Sequence, residues 1–187
     1  MSRRDEVLDV GLRLFAEQGY AATTTAQIER ELGLRPGSGG LFRHVRSKQE
    51  LLEAALDRAL GRRHEPPEGP FRSPAHALAA STLHLIDADP HLWRLLLREG
   101  TGLPVDIDAL YDRLVAPAFG QAVDWVRTHY GDSAGLRDRV VAGISALLYL
   151  RVSQLIYRRT PADVDEAAFV TVVEGLFAGM PGTAVTP

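Results

Sequence analysis

The spacing of the apolar residues constrains this chain more than any other feature of its sequence. Between residues 5 and 18, Val7, Leu8, Val10, Leu14 and Phe15 recur three and four positions apart. Such spacing places the side chains along one face of an amphipathic α-helix. Similar spacing returns along most of the 187 residues, and no segment shows the alternation of a strand. The sequence therefore predicts an all-α protein of about nine helices.

Glycines and hydroxyl side chains predict where the first helices begin and end. Gly19 follows the first apolar stripe, where a C-cap glycine is expected, and Thr23–Thr25 offers hydroxyl N-caps for a short second helix. Ser47, with Glu50 three residues later, gives a capping-box pattern at the start of a longer helix.

The remainder of the chain is predicted to be helical after an interruption. Gly61 and the prolines that follow it indicate a linker or surface loop over residues 61–73. Pro117 lies inside one of the later helices, which it is expected to kink or split. Five helices are predicted in this part of the chain, at about 74–87, 90–99, 105–130, 135–158 and 164–179.

Two short helices, at about 25–32 and 37–45, are predicted between longer ones, with a glycine-containing turn joining them. In a helix-turn-helix, the first such helix crosses the DNA backbone and the second enters the major groove. The segment from Leu32 to Gln49 holds four basic residues and no acidic residue. Residues 1–63 carry a net charge of +2 and residues 64–187 carry −5. A basic segment attracts phosphate, although such a run, taken alone, is equally consistent with a solvated surface.

Composition excludes several other classes of protein. The chain has no cysteine, so it has no disulfide and no cysteine nucleophile or ligand. A signal peptide or membrane span is not expected, because no long uninterrupted apolar run is present. No catalytic carboxylate pair, Ser-His-Asp order or metal-ligand spacing is evident. We therefore expect a cytoplasmic protein that is not an enzyme and has no metal or cofactor.

An ordered set of residues between positions 3 and 60 carries further information. It comprises Leu14-Phe15, Gly19-Tyr20, Thr23-Thr24, Ile28, Gly33-Leu34-Arg35, Gly40, Leu41-Phe42, Arg43, His44-Val45, Arg46, Ser47-Lys48 and Leu51. This order resembles the TetR (tetracycline-repressor) family over about a third of the chain. The resemblance implies a homeodomain-like helix-turn-helix domain at 1–46, a connecting helix at 47–63, and an effector-binding and dimerisation domain at 64–187.

The chain departs from the family pattern at four places. Two extra residues lie within Pro36–Gly40, which makes the register of the second short helix on DNA an open question. Phe42 stands where the family often has tyrosine, so a hydrogen bond from a phenol to phosphate is absent. Val45 replaces a core phenylalanine, and Arg35 replaces the usual serine N-cap.

Residue chemistry and the matched positions together predict the DNA contacts. Thr24 and Thr25 begin the helix that crosses the backbone and can contact phosphate, although helix capping alone would also explain Thr24. Arg35, Ser38 and Arg43 are candidates for reaching base edges, since arginine binds guanine through two hydrogen bonds. For Arg43, a phosphate contact without base reading is the alternative.

The glycine-rich turn and its surroundings complete the predicted DNA-binding set. Gly37 and Gly39 would let the backbone approach a phosphate closely. A nucleotide phosphate loop is a weaker interpretation, because no strand precedes the glycines and no Lys-Ser or Lys-Thr follows them. Phe42 lies in the segment between the two capped helices, residues 35–46, which we call the reading segment, and His44 and Lys48 resemble phosphate-contacting positions of the family.

The C-terminal half carries few motifs, and the family resemblance implies its roles. Residues 140–157 are apolar on more than one face, which is typical of a helix buried in a core or between two chains. The residues predicted at a homodimer interface are Ile144, Leu148, Leu155, Val172, Gly175, Leu176 and Gly179. The residues predicted to line an effector pocket are His84, Trp93, Tyr111, Phe119, Trp125, Tyr149, Arg151 and Gln154, with core packing as the alternative for each aromatic.

The resulting expectation is a transcriptional regulator, of the repressor kind, that binds a palindromic operator as a homodimer and responds to an unknown small-molecule effector. The alternative is a helical regulator or interaction module that responds to a protein partner and has no small-molecule effector.

Overall fold

The computed structural model describes residues 2–62 and 67–180, and all regular secondary structure in these ranges is helical. Three short 3₁₀ segments, at Gly40–Arg43, Gly100–Gly102 and Pro161–Asp163, accompany the α-helices. The α-helices are α1 (Arg3–Gln18), α2 (Thr25–Glu31), α3 (Lys48–Gly61), α4 (Pro74–Ala88), α5 (Pro90–Glu99), α6 (Ile107–Tyr130), α7 (Leu136–Tyr157) and α8 (Glu166–Gly175).

The all-α prediction is confirmed, with one difference in the expected number of helices. Eight of the nine predicted helices are α-helices in the described residues, and the segment predicted at 37–45 instead contains a four-residue 3₁₀ helix. α6 continues past Pro117, which is exposed, so the split that was considered at this proline does not occur. The predicted loop is non-helical at residues 67–73, and residues 63–66 lie outside the described part.

The first compact unit comprises residues 1–63 and 89–110. Helix α1 packs against α2, α3 and α5 in this unit. Burying one large apolar side chain stabilises a fold by about 1.5–3 kcal/mol, so the shared core fixes the short elements as well as the long ones. Fully buried members of this core include Phe15, Ile28, Leu41, Leu51, Leu52 and Leu95.

Helix α5 belongs to this first unit, although the sequence placed residues 89–110 in the effector-binding domain. Arg98 of α5 donates hydrogen bonds to the carbonyls of Glu17 (2.8 Å) and Gln18 (3.1 Å). These are carbonyls of the last turn of α1, which lack partners inside the helix. The domain boundary expected at residue 63 concerns function, and it stays a prediction.

A chain of ion pairs joins α1, α3 and the start of α5. Arg58 lies 2.9 Å from Asp5 and 3.3 Å from Asp9. Arg62 pairs with Asp9 and with Asp89, the buried N-cap residue of α5. Because five charged groups share these contacts, the network orients the three helices more strongly than a single exposed pair would.

The second compact unit comprises residues 64–88 and 111–187, and its described part contains α4, α6, α7 and α8. Helix α4 packs against α7 and α8, which also contact each other. Tyr130 stacks on Phe177 with ring centroids 5.6 Å apart, and its hydroxyl accepts a hydrogen bond from the Ala75 N–H at 3.1 Å. Fully buried residues of this unit include Ala79, Val126, Val140, Leu147 and Leu150.

Candidate nucleic-acid interface

Helix α2 begins with a complete capping box. The Thr24 hydroxyl accepts a hydrogen bond from the Gln27 N–H at 3.2 Å, and the Gln27 side-chain oxygen accepts one from the Thr24 N–H at 2.7 Å. The capping interpretation of Thr24 is therefore correct. The Thr24 side chain is nevertheless exposed and Thr25 is half-buried. Phosphate contacts at this end of the helix stay a prediction.

Lys48 has an internal structural role that the sequence did not indicate. Its ammonium group donates hydrogen bonds to the carbonyls of Tyr20 (2.9 Å) and Thr23 (3.0 Å) and reaches that of Ala21 (3.5 Å). It also lies 4.4 Å from the centroid of the Tyr20 ring, which is a cation–π contact. Lys48 thus ties the start of α3 to the connection between α1 and α2. The three N–H donors of the Lys48 ammonium group are thus directed at these three carbonyls, and a phosphate would have to compete for them.

The segment after α2 is a glycine-rich turn rather than the start of a helix. Gly37 and Gly39 have φ angles of +75° and +72°. This left-handed conformation is readily adopted by glycine and interrupts a right-handed helix. The prediction of a helix at 37–45 is therefore wrong in its extent, because only the 3₁₀ helix Gly40–Arg43 forms.

Glu29 of α2 holds this turn at three points, and the sequence analysis missed it. Its two carboxylate oxygens accept hydrogen bonds from the N–H groups of Gly37 (2.6 Å) and Leu41 (3.2 Å). Its backbone carbonyl accepts a third from Leu34 (2.8 Å). The side chain is only 1% exposed. The sequence did offer one signal of this buried carboxylate. Glu29 lies three positions before the buried Leu32, which places the two residues on the same face of a short helix.

The turn and the 3₁₀ helix carry exposed groups suited to DNA. Arg35, Ser38 and Arg43 are exposed, and His44 is half-buried. In the described part of the chain, neither arginine forms an ion pair, so both guanidinium groups are available. Phe42 is 50% exposed although it is apolar, which suits contact with a thymine methyl group.

The first turn of α3 follows directly and fixes the end of this segment. The Ser47 hydroxyl accepts a hydrogen bond from the Glu50 N–H at 3.0 Å, as the sequence predicted. The Glu50 carboxylate accepts one from the Arg46 N–H at 2.7 Å, one residue earlier than a capping box requires. Both ends of the reading segment are therefore anchored by carboxylates, Glu29 at its beginning and Glu50 at its end.

The residues predicted to bind an effector have different surroundings. Trp93 lies in the first compact unit and the other seven lie in the second. Tyr111 and Tyr149 are exposed, whereas Phe119 and Trp125 pack against the core of the second unit. His84 is exposed as well.

Arg151 and Gln154 do meet, in an ion-pair cluster. Arg151 lies 3.0 Å from both Asp87 and Glu166, and its guanidinium donates to the Gln154 side-chain oxygen at 2.7 Å. Burial raises the pKa of the Asp87 carboxyl, against the opposing effect of the Arg151 charge. This cluster connects α4, α7 and α8 within the second unit.

A separate open cleft of about 630 Å³ lies in the second unit and contains none of the predicted effector residues. Its lining includes Tyr130, Phe177 and an ion pair between Arg72 and Glu174, 2.5 Å apart. Burial raises the pKa of Glu174, but hydrogen bonds from Arg72 and Ser73 outweigh that effect and lower it.

The residues predicted at a dimer interface fall into two groups. Ile144 is buried in the core of the second unit, and Leu148 and Leu176 pack against that core. Val172, Gly175 and Gly179 are exposed and Leu155 is half-buried. Further exposed apolar side chains of α7, which were not among the predicted interface residues, are Val141, Tyr149, Ile156 and Tyr157.

Helix α7 is also the one described helix that is long and apolar enough to cross a membrane. Only 33% of its most apolar 18-residue window is buried within the chain. By itself this feature is weak evidence for a membrane, because the core helices of soluble proteins pass the same test. A second copy of the chain would cover the same surface.

Comparison with known proteins identifies the N-terminal segment. Residues 7–55 match the family described as bacterial regulatory proteins, tetR family. The HTH-type transcriptional repressor KstR2 of Mycolicibacterium smegmatis is 40% identical over 55 residues, 29% of this chain and 26% of that protein. KstR2 of Rhodococcus jostii is 37% identical over 92 residues, 46% of this chain and 44% of that protein. The chain thus spans less than half the length of these relatives.

Solved structures extend the likeness of fold to nearly the whole chain. A TetR-family regulator from Streptomyces coelicolor superposes with a TM-score of 0.65 at 24% identity, covering 94% of this chain and 80% of that one. AibR, solved in complex with isovaleryl coenzyme A and operator DNA, superposes with a TM-score of 0.59 at 18% identity, covering 97% and 100%. Residues 7–55 are thus similar in sequence to the TetR family of bacterial regulatory proteins, and the chain shares the fold of these solved TetR-family structures.

Proposed function

We propose that this protein is a transcriptional repressor that binds a palindromic operator as a homodimer and releases it in response to a small molecule. The observation that carries this proposal is the exposed, acid-free basic segment that the Glu29-anchored turn presents between α2 and α3. Base edges in the major groove offer acceptors to Arg35 and Arg43. Phosphates offer acceptors to the N-terminus of α2 and to His44.

Dimerisation follows from the exposed apolar side chains of α7 and α8. Tyr149 is 61% exposed and Val172 is 67% exposed, and a single chain leaves both in water. Covering them with a second copy would form a bundle of two helices from each protomer, as the family resemblance implies. A dimer also places two reading segments on half-sites in successive major grooves, about 10 base pairs apart.

The response to an effector is supported more loosely. AibR, whose fold is similar, was solved with an acyl coenzyme A and DNA, so this architecture accommodates both kinds of ligand. In this chain, the ion-pair cluster around Arg151 and the open cleft beside Tyr130 are two polar features of the second unit that could serve this role. An effector acts only if it binds one spacing of the two reading segments more tightly than the other.

A regulator that responds to a protein partner is the second candidate. It is favoured by the exposure of His84, Tyr111 and Tyr149, which were predicted to line a pocket, and by the open form of the cleft beside Tyr130. A small effector usually binds in a pocket that buries most of its surface. Isothermal titration with acyl coenzyme A compounds and free fatty acids separates the two candidates, since only the first predicts saturable binding that weakens DNA affinity.

DNA binding is tested first by selecting a site from a random oligonucleotide library with the full chain. Fluorescence anisotropy then measures affinity for that site and for random DNA across a salt series. Arg43→Ala is compared with Arg137→Ala, which removes an exposed arginine from the second unit. We expect Arg43→Ala to weaken site binding by about 1–3 kcal/mol and Arg137→Ala to leave it unchanged. Equal binding by both variants would refute the assigned interface.

The same series decides what Arg43 contacts. A base contact predicts that the preference over random DNA declines at one position of the site. A phosphate contact predicts uniform weakening and a salt slope reduced by about one. Absence of any preference by the unmodified chain would remove the proposed function itself and favour the protein-partner alternative.

A further inference from the structure

Glu29 is a buried carboxylate in a region that the proposed function requires to be basic. It lies on α2 and is 1% exposed, while every charged side chain from Arg35 to Lys48 is positive. We propose that Glu29 is the positioning residue that holds the glycine-rich turn in the geometry that reads DNA. This inference rests on the proposed function, and it names the residue on which sequence discrimination depends.

The contacts of Glu29 span the whole turn. Its backbone carbonyl accepts from Leu34, at the beginning of the turn, and one carboxylate oxygen accepts from Gly37 in the middle. The other oxygen accepts from Leu41, inside the 3₁₀ helix. One residue of α2 therefore fixes three points along eight residues of irregular backbone.

Other hydrogen bonds of the turn are local. Ser38 N–H donates to the Arg35 carbonyl at 3.1 Å, Gly40 N–H donates to the Ser38 hydroxyl at 3.3 Å, and Phe42 N–H donates to the Gly39 carbonyl at 3.0 Å. Glycine gains more conformational freedom than any other residue when it is released, and both Gly37 and Gly39 lie here. Without the carboxylate, we expect the turn to sample many geometries, of which only a fraction fits DNA.

A carboxylate is the group that this position requires. Two N–H donors point at the side chain, and an ionised carboxylate accepts on both oxygens. Hydrogen bonds to a charged acceptor are about twice as strong as neutral ones. Glutamine has one accepting oxygen, so its NH₂ group would face one of the two backbone donors. Glu29→Gln therefore preserves the size of the side chain while leaving one of these two N–H groups without its partner.

The charge of Glu29 makes the test directional. Removing a negative charge near DNA should strengthen binding if electrostatics alone were at work. Glu31→Gln is the matched control, because Glu31 lies on the same helix, is exposed and pairs with Arg13 at 2.5 Å. We expect Glu31→Gln to bind as well as the unmodified chain or more tightly, and Glu29→Gln to bind more weakly.

The experiment compares both full-length variants on the DNA site selected by the unmodified chain, with random DNA as the second probe. Apparent affinity falls in proportion to the fraction of molecules in the competent geometry. Loss of one hydrogen bond lowers that fraction, and so the affinity of Glu29→Gln for its site, by about tenfold. The preference over random DNA should fall with it, while the salt slope stays unchanged because no phosphate contact is removed. Equal affinity and preference for the two variants would overturn the proposal.

Amide hydrogen exchange of the free protein provides a readout that needs no DNA. In Glu29→Gln, the Gly37 and Leu41 amides should exchange faster, while amides in the core of α1 and α3 keep their rates. Unchanged exchange at Gly37 and Leu41 would overturn the proposal, whatever the DNA result. Absence of DNA preference in the unmodified chain would count against the proposed function alone.

A second variant covers the case in which Glu29→Gln does not fold. Gly37→Ala strains the turn at a φ of +75° without touching buried groups, because no atom lies within 4 Å of the added carbon. Gly61→Ala, also with open surroundings, is its control in α3. Loss of DNA preference in Gly37→Ala only is the expected result, and retention of full preference would refute the requirement for a fixed turn.

Discussion

Replacing Lys48 with methionine separates an internal role for this residue from a contact with DNA. The lysine donates two hydrogen bonds of 2.9 and 3.0 Å to backbone carbonyls and approaches a third at 3.5 Å. Methionine retains the length of the apolar stem but has no donor. The carbonyls of Tyr20 and Thr23 would then lose a charged partner at the junction between α1 and α2.

The magnitude follows from these contacts. A hydrogen bond to a charged group contributes about 1.5–3 kcal/mol, and the site is half-buried, which places each bond near the lower limit. Two such bonds, with the cation–π contact to Tyr20 at 4.4 Å, give a loss of about 3–4 kcal/mol in the free energy of unfolding. Arg46→Met is the control, because it removes an exposed positive charge from the same segment.

Urea unfolding at one fixed protein concentration measures this loss, since dimerisation would make the midpoint depend on concentration. DNA titrations in a salt series measure the other role. We expect Lys48→Met to unfold at lower urea than Arg46→Met while keeping its salt slope. If the two variants unfold alike and Lys48→Met loses about one unit of salt slope, the lysine contacts phosphate and the reasoning is refuted.

Three further predictions follow from the packing and the charges. Gly11→Ala should destabilise the first unit by about 1–3 kcal/mol in thermal or urea unfolding, because the added carbon would lie 2.9 Å from Leu51; no loss relative to Gly61→Ala would contradict this packing. The pKa of Glu174 is lowered in the folded protein, so its carboxylate should stabilise the second unit at pH values above the usual pKa of a glutamate, and this contribution should be lost as the pH falls through the lowered pKa. Arg72→Ala should therefore reduce the acid dependence of the urea midpoint. An unchanged pH profile would argue against this role of the ion pair. Val172→Glu should convert the proposed dimer to a monomer in analytical ultracentrifugation, while Gln121→Glu, at an exposed position of α6, should not. A monomeric unmodified chain would refute the proposed interface.

Helix boundaries could be predicted from the sequence because their signals are local. The hydroxyl of Thr24, the glycine at position 19 and the apolar repeat each act within one or two helical turns, so α1, α2 and α3 begin and end near the predicted residues. The length of the second short helix could not be predicted in this way. The helix-turn-helix pattern suggested a helix at 37–45, but the left-handed Gly37 and Gly39 interrupt it, and the contact of Gly37 with the Glu29 carboxylate has no signature in the sequence.

The candidate site was predictable in position but not in the roles of its side chains. An acid-free basic run identified the segment, and Arg35, Ser38 and Arg43 are exposed there as a DNA contact requires. Lys48 shares the same charge, yet its ammonium faces carbonyls from residues 20–23. Contacts between residues more than 20 positions apart leave no periodic pattern, which is also why the effector residues could not be grouped from sequence.

The position of α5 determines how this protein could be recombined with others. Leu92 and Leu95 lie in the same buried cluster as α1 and α3, and Arg98 satisfies the last carbonyls of α1. A chimera that exchanges residues 1–63 alone would separate α1 from these partners and give it a foreign α5. A functional exchange of DNA specificity must therefore either transplant residues 89–110 together with the first segment, or graft only the short reading turn onto an unchanged scaffold.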